Sequence, residues 1–157
     1  MLNGYISLLK LFNMNRNIAK LYQIAQKTER KIIGLMSGTS MDGLDIALCS
    51  CKNSGAETEI KLLNFITMPY QDDFRADVKS IFSRKDADLE KVCLLNELIG
   101  VKHAELILQA LALWNINAKD VDIIASHGQT IFHAPKSLHG QQNYPNATLQ
   151  IGDGDHI

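Results

Sequence analysis

Residues 31–50 read KIIGLMSGTSMDGLDIALCS, and they are the most informative part of the chain. Two apolar runs, 32–36 and 44–48, flank a turn of small residues at 37–43. Asp42-Gly43 is a strong hairpin signal, because glycine accepts the positive φ that tight hairpin turns require. The stretch therefore predicts two antiparallel strands joined by this turn.

The predicted turn presents backbone N–H groups and two hydroxyls with little bulk around them, at Gly38, Thr39, Ser40 and Gly43. Such a concavity suits phosphate oxygens. Asp42 and Asp45 add carboxylates at the same place, which phosphate alone would repel but a bound Mg²⁺ would favour. An ordinary hairpin with a roomy turn is the structural alternative to a phosphate site.

A Walker A loop is excluded at this position. Gly38 and Gly43 have the five-residue separation of that motif, but Leu44-Asp45 stands where it requires Lys followed by Ser or Thr. The segment after the turn also has the pattern of a strand, whereas a Walker A loop opens a helix. A phosphate-holding β-hairpin is the remaining interpretation.

Composition limits the other function classes. The 157 residues are 46% hydrophobic and 21% charged with a net charge of −1, which is typical of one globular domain. Scattered Lys and Arg predict no nucleic-acid-binding face. Residues 1–13 are interrupted by Lys10 and are too short for a signal peptide or a membrane span, so we expect a cytoplasmic protein with no membrane partner.

The remaining pattern predicts an α/β fold. Residues 1–30 are expected to form a dispensable extension (1–13) and a short helix (17–28), and residues 31–157 the main domain. A strand at 59–68 would complete an antiparallel three-strand meander. After it we expect a helix at 71–82 and a long helix that runs from a cap at Asp86 or Asp88 to Trp114. An interior strand at 121–125, a loop at 134–146 and a strand at 148–151 follow. The long helix should bury a surface around Leu94, Leu98, Val101, Leu108 and Leu111.

A second polar motif follows the predicted strand at 121–125, where residues 126–130 read SHGQT. Gly128 would let a ligand approach the backbone, and Gln129 offers both a donor and an acceptor for sugar hydroxyls. His127 could bond a sugar or orient a neighbour. A polar strand end that satisfies its own backbone is the alternative. In a third motif, TLQIGDGD at 148–155, Asp153 and Asp155 suit either a binding site or a solvated turn.

Taken in order, GLMSGTSMDGLD at 34–45, SHGQTI at 126–131 and LQIGD at 149–153 resemble the N-terminal part of the anhydro-N-acetylmuramic acid kinases. The resemblance covers roughly residues 31–157. It implies an ATP-dependent sugar kinase of peptidoglycan recycling, which opens the 1,6-anhydro ring with water and phosphorylates O6. The product is N-acetylmuramic acid 6-phosphate. It also implies a ribonuclease-H-like lobe of the actin, Hsp70 and hexokinase type, in which a β-hairpin holds the ATP phosphates.

Site residues follow from the resemblance, position by position. ATP contacts are implied at Gly38, Thr39, Ser40, Met41, Asp42, Gly43, Leu44 and Asp45, with Mg²⁺ at Asp42 and Asp45. Substrate contacts are implied at His127, Gly128, Gln129, Thr130 and Asp153.

The water-activating aspartate of the family and its second lobe would lie beyond Ile157, so this chain alone is expected to be inactive. The complete enzyme could be a homodimer. A non-catalytic nucleotide-binding fragment and an actin-like ATPase switch are the alternative functions.

Overall fold

A computed structural model describes residues 15–157. The expectation that residues 1–13 are dispensable lies outside the described residues. One sheet of five strands organises the rest, in the order β3-β2-β1-β4-β5. The strands are β1 (Glu29–Ser37), β2 (Gly43–Lys52), β3 (Glu59–Pro69), β4 (Ile123–Ala134) and β5 (Ala147–Ile151).

The first three strands form the predicted antiparallel meander. The fourth strand, β4, then pairs with β1 in parallel, and β5 pairs with β4 in antiparallel orientation. This mixed order, with helices between β3 and β4, confirms the predicted ribonuclease-H-like α/β lobe.

Four helices accompany the sheet within residues 15–157: α1 (Arg16–Ala25), α2 (Asp72–Ile81), α3 (Leu89–Leu113) and α4 (Lys136–His139). Short 3₁₀ turns lie at Gly55–Glu57, Ala118–Asp120 and Gly154–His156. The α3 helix begins after Asp88, whose carboxylate accepts the backbone N–H groups of Glu90 and Lys91, as the capping prediction required. None of the helices within residues 15–157 is long and apolar enough to cross a membrane.

The core lies between one face of the sheet and helices α2 and α3. Alternating residues of β2 point to this side: Leu44, Ile46 and Leu48 are fully buried. They pack with Ile33 of β1 and Val78 of α2 in one hydrophobic cluster. Burying each such side chain contributes roughly 1.5–3 kcal/mol, so this layer supplies much of the lobe's stability.

The predicted buried surface of α3 is largely wrong. Only Leu111 of the five predicted positions is buried, while Leu94, Leu98, Val101 and Leu108 are exposed. The residues that face the sheet are Leu95, Ile99, Gly100, His103, Leu106, Ile107, Ala110 and Leu111. Apolar residues occur around most of this helix, so periodicity alone could not select the side that packs on the sheet.

The fourth strand is longer and less buried than predicted. It continues from Ile123 through the SHGQT motif to Ala134. The strand is interior in the sheet, between β1 and β5, as predicted, but Ile123 and Ile124 are each more than one third exposed. Ile123 lies with the exposed Met36 and Phe65 on the face of the sheet opposite the core, whereas Ile124 pairs with Ile33 on the core face.

Candidate functional site

The hairpin turn between β1 and β2 spans residues 38–42. Its closing bond runs from the Met41 N–H to the Gly38 carbonyl, at 3.2 Å. Thr39 and Ser40 are exposed, and the nearest heavy atom to a Cβ built on Gly38 would be Ser40 Oγ at 3.5 Å. The turn therefore presents two hydroxyls and accessible backbone on the surface, as the sequence predicted.

The reason given for Gly43 was wrong. Positive φ occurs at Met41 (54°), not at Gly43, which is the first residue of β2. A Cβ on Gly43 would lie 2.6 Å from the Met68 carbonyl oxygen of β3. Glycine is required there because two strands approach closely, and the turn itself is made by Met41.

The two candidate Mg²⁺ ligands occupy different surroundings. Asp42 is exposed, and its carboxylate accepts the Ser40 hydroxyl at 2.7 Å. That hydrogen bond lowers the pKa of Asp42 further below neutral, by stabilising the ionised carboxylate. Asp45 is half-buried on β2 and accepts the Thr67 hydroxyl of β3 at 2.6 Å.

A surface depression of about 480 Å³ brings part of two predicted sites together. Asp45 lines it with Ser126 and His127 of β4, whereas Asp42 is not among its lining residues. No group of three or more His, Cys, Asp or Glu side chains within residues 15–157 is placed to hold a metal. Mg²⁺ commonly takes one or two carboxylates and completes its shell with phosphate oxygens and water, so single aspartates still fit it.

Met41 and Leu44 cannot contact ATP through their side chains. The Leu44 side chain is fully buried and that of Met41 nearly so, and both belong to the hydrophobic core. Any contact with a phosphate at these two positions would use the backbone.

The SHGQT motif lies within β4 at an irregularity of the sheet. The pairing of β1 with β4 shifts between Leu35 and Ser37, and Ser37 then stands opposite Gln129. Gly128 has a φ of 71°, and a Cβ there would lie 2.6 Å from the Ile151 carbonyl oxygen. The bare backbone of Gly128 thus accommodates β5, while the neighbouring His127 side chain is exposed.

Gln129 and Thr130 are buried, contrary to the expectation that they offer their side chains to a sugar. Gln129 Oε1 accepts the Ser37 hydroxyl at 2.5 Å, and its Nε2 donates to the carbonyls of Gly38 (3.3 Å) and Thr130 (3.0 Å). The Thr130 hydroxyl accepts from Gln150 at 3.4 Å. In this arrangement both side chains are engaged inside the protein.

Sequence reasoning missed two buried residues behind the turn. Tyr70, just after β3, donates its hydroxyl to Ser37 Oγ at 2.8 Å, and its oxygen lies 2.9 Å from His103 Nε2 of α3. Burial raises the pKa of Tyr70 to about 12 and lowers the pKa of His103 to about 4. Both side chains are therefore neutral at physiological pH. The lone histidine among the apolar residues of α3 was the only signal for this pair.

The Gly152-Asp153 segment is held against α3. The Gly152 N–H donates to the Asn96 side chain at 2.8 Å, and the Asp153 N–H donates to the Asn96 carbonyl at 2.9 Å. A Cβ on Gly100 would lie 2.4 Å from the Asp153 carbonyl oxygen. Asp153 itself is half-buried and caps the final 3₁₀ turn through Asp155 N–H. No local pattern in the sequence marks Asn96 or Gly100 as supports of this segment.

Comparisons with known proteins agree with these motifs. The sequence model of the family described as anhydro-N-acetylmuramic acid kinase matches residues 30–157. The anhydro-N-acetylmuramic acid kinase of Pseudoalteromonas atlantica is 52% identical over 144 residues, which cover 92% of this chain and 36% of the relative. The corresponding kinase of Pseudoalteromonas translucida is 47% identical over the same shares. That of Caldanaerobacter subterraneus is 39% identical, covering 85% of this chain and 34% of the relative.

The chain thus spans about a third of the length of the curated relatives it matches. The matched region contains the turn, the β4 motif and the Gly152-Asp153 segment. This chain therefore belongs to the anhydro-N-acetylmuramic acid kinase family.

Proposed function

We propose that this chain forms the N-terminal, phosphate-holding lobe of an ATP-dependent sugar kinase of the cytoplasm. The complete enzyme would convert 1,6-anhydro-N-acetylmuramic acid, ATP and water to N-acetylmuramic acid 6-phosphate and ADP. A homodimer is part of this proposal for the complete enzyme. The proposal rests on family membership together with one observation: the exposed turn of small residues at the end of the β1–β2 hairpin.

In phosphoryl transfer a protein mainly positions the reacting groups and stabilises their charge, and the turn is suited to both. Residues 38–40 would bond phosphate oxygens through backbone N–H groups and the hydroxyls of Thr39 and Ser40. The ionised Asp42 would repel those oxygens unless a cation lies between them. Mg²⁺ would supply that charge neutralisation, with Asp42 or Asp45 in its coordination shell.

On the sugar side, His127 and Asp153 are the predicted contacts that remain open to a ligand. His127 is exposed beside Asp45 in the depression on the sheet, and Asp153 is half-buried with its backbone held by Asn96. The resemblance to the family implies that the water-activating base lies in the portion of the relatives that this chain does not match. We therefore expect no turnover from residues 30–157 without that portion, because general-base catalysis typically supplies ~10²–10⁴-fold in rate.

A chimaera tests the proposal. Residues 30–157 would replace the matching portion of the Pseudoalteromonas atlantica kinase, and formation of the sugar phosphate would be followed by mass spectrometry. We expect ATP-dependent turnover, reduced about ten- to a hundredfold by Asp42→Asn, the size typical of a lost partner in a metal site. Gly38→Val should have a similar effect by blocking the backbone of the turn.

The matched control is Asp120→Asn, which removes an exposed carboxylate from the 3₁₀ turn before β4, at the opposite end of β1 from the hairpin turn. It should leave turnover unchanged. A folded chimaera without any turnover, or one in which Asp42→Asn and Gly38→Val match the parent, would refute the proposed role of the hairpin.

A nucleotide-binding fragment without turnover is the second candidate, favoured by the one-third coverage of the relatives. If this second function is right, the chain alone should bind inorganic tripolyphosphate in the presence of Mg²⁺, which isothermal titration calorimetry would measure. The earlier alternative of an actin-like ATPase switch has no such support, because the matched family is a sugar kinase.

A further inference from the structure

Four buried polar side chains connect helix α3 to the hairpin turn: His103, Tyr70, Ser37 and Gln129. None is more than 6% exposed. The successive contacts are 2.9 Å, 2.8 Å and 2.5 Å long. The series ends at the Gly38 carbonyl, which also accepts the Met41 N–H that closes the turn.

The direction of every hydrogen bond in this series follows from Gln129. Its Nε2 lies within reach of two backbone carbonyl oxygens, those of Gly38 and Thr130. Carbonyl oxygens only accept, so the NH₂ group must face them and Oε1 must face Ser37. The opposite amide orientation would place an oxygen against two other oxygens.

The remaining protons are then determined one by one. Ser37 has a single hydroxyl proton, which it must donate to Gln129 Oε1, so Ser37 Oγ accepts from Tyr70. Tyr70 has thereby used its only proton, and its oxygen must accept from His103 Nε2–H. His103 Nδ1 has no hydrogen-bond partner among the described residues. In this tautomer Nδ1 is a bare lone pair, which avoids an unsatisfied buried N–H.

We infer that His103, Tyr70, Ser37 and Gln129 form a one-way hydrogen-bond chain that positions the Gly38 carbonyl and, with it, the turn. Gln129 is then a positioning residue for the phosphate-holding backbone, and its amide is not a sugar ligand. The inference deepens the proposed function and rests on it only for the identity of what the turn holds.

The chain is stiff for a physical reason. Hydrogen bonds in a buried, low-dielectric environment are electrostatically strong, and successive members polarise one another. Removing one member also leaves its neighbours buried without partners, which costs more than the bond itself. The Gly38 carbonyl is thus held from the sheet side by Gln129 and from the turn side by Met41.

The first test needs no substitution. Nitrogen-15 NMR of the imidazoles in the full 157-residue chain distinguishes the two neutral histidine tautomers. We expect His103 to carry its proton on Nε2 throughout neutral pH. A proton on Nδ1 would overturn the one-way chain, because a bare Nε2 would then accept the only Tyr70 proton and leave none for Ser37.

The second test measures amide hydrogen exchange at Met41. Gln129→Met keeps the length of the side chain and removes the bond to Gly38, so Met41 exchange should accelerate roughly three- to tenfold beyond any global change, as expected for one lost hydrogen bond. Tyr70→Phe should act in the same direction from further along the chain. An unchanged Met41 rate in both variants, once corrected for global stability, would overturn the positioning role.

Val78→Ala is the matched control. Its side chain is equally buried in the core beside the chain but is apolar, so it should change global stability without a selective effect at Met41. Titration of the wild-type chain with Mg²⁺ and inorganic tripolyphosphate accompanies the exchange data. Absence of binding would count against the phosphate function, whereas the exchange rates and the tautomer decide the positioning role.

Discussion

Replacing His103 with glutamine should remove a large part of the acid sensitivity of this fold. The imidazole is buried, and burial lowers its pKa from an ordinary 6.5 to about 4. Between these values the unfolded chain binds a proton that the folded chain does not, so the free energy of unfolding rises with pH across this window. Acidification below 6.5 therefore destabilises the wild-type fold.

The size of the effect follows from the two pKa values. With these two pKa values, the free energy of unfolding falls by about 2 kcal/mol between about pH 7 and about pH 5. This corresponds to roughly a thirtyfold change in the unfolding equilibrium constant. Glutamine does not titrate, and its amide N–H can still donate to the Tyr70 oxygen as His103 Nε2 does. His103→Gln should thus keep the hydrogen bond and lose the pH dependence.

Urea denaturation of both proteins across this range of pH provides the measurement. The wild type should lose about 2 kcal/mol more than His103→Gln on acidification. His127→Gln is the control, since that exposed imidazole has no comparable burial and the variant should follow the wild type. Parallel curves for wild type and His103→Gln would refute the reasoning.

Two glycine substitutions test the close contacts of the fold, each by urea denaturation. Gly100→Ala should destabilise the fold by ~1–3 kcal/mol, because its Cβ would lie 2.4 Å from the Asp153 carbonyl oxygen. Alanine favours helices over glycine, so a gain in stability would contradict this contact. Gly43→Ala should cost a similar ~1–3 kcal/mol through its 2.6 Å approach to the Met68 carbonyl oxygen. Gly34→Ala is the neutral comparison, since no heavy atom lies within 4 Å of its Cβ; equal losses at positions 34 and 43 would argue against this explanation.

The hairpin and the meander were predictable because their signals are local. Apolar residues alternate along β2, small residues fill the turn, and polar residues separate β2 from β3. Each signal lies within a few residues of the structure it specifies. The helix at 71–82 and the Asp88 cap were confirmed for the same reason, with boundaries one residue from Asp72–Ile81.

The errors arose where a distant partner decides the outcome. The packed side of α3 depends on which surface the sheet meets, and the chain offers apolar residues on several sides of that helix. The length of β4 depends on β1 and β5, which pair with it across the SHGQT motif. The contacts of Tyr70 with Ser37 and His103 each join residues 33 positions apart, which no local pattern reports.

The pairing of Ser37 with Gln129 also has a consequence for how the site assembles. These two side chains are 92 positions apart, and the parallel strands β1 and β4 are separated in the chain by β2, β3 and two helices. Closing so long a loop reduces the entropy of the chain before the strand contacts can offset this loss. Such long-range pairings are therefore slow to form. During synthesis the β1–β2 hairpin can pair early, but its turn acquires the buried support only after β4 has joined the sheet. We therefore expect the geometry of the turn to form late in folding, even though its residues are made before those of β4.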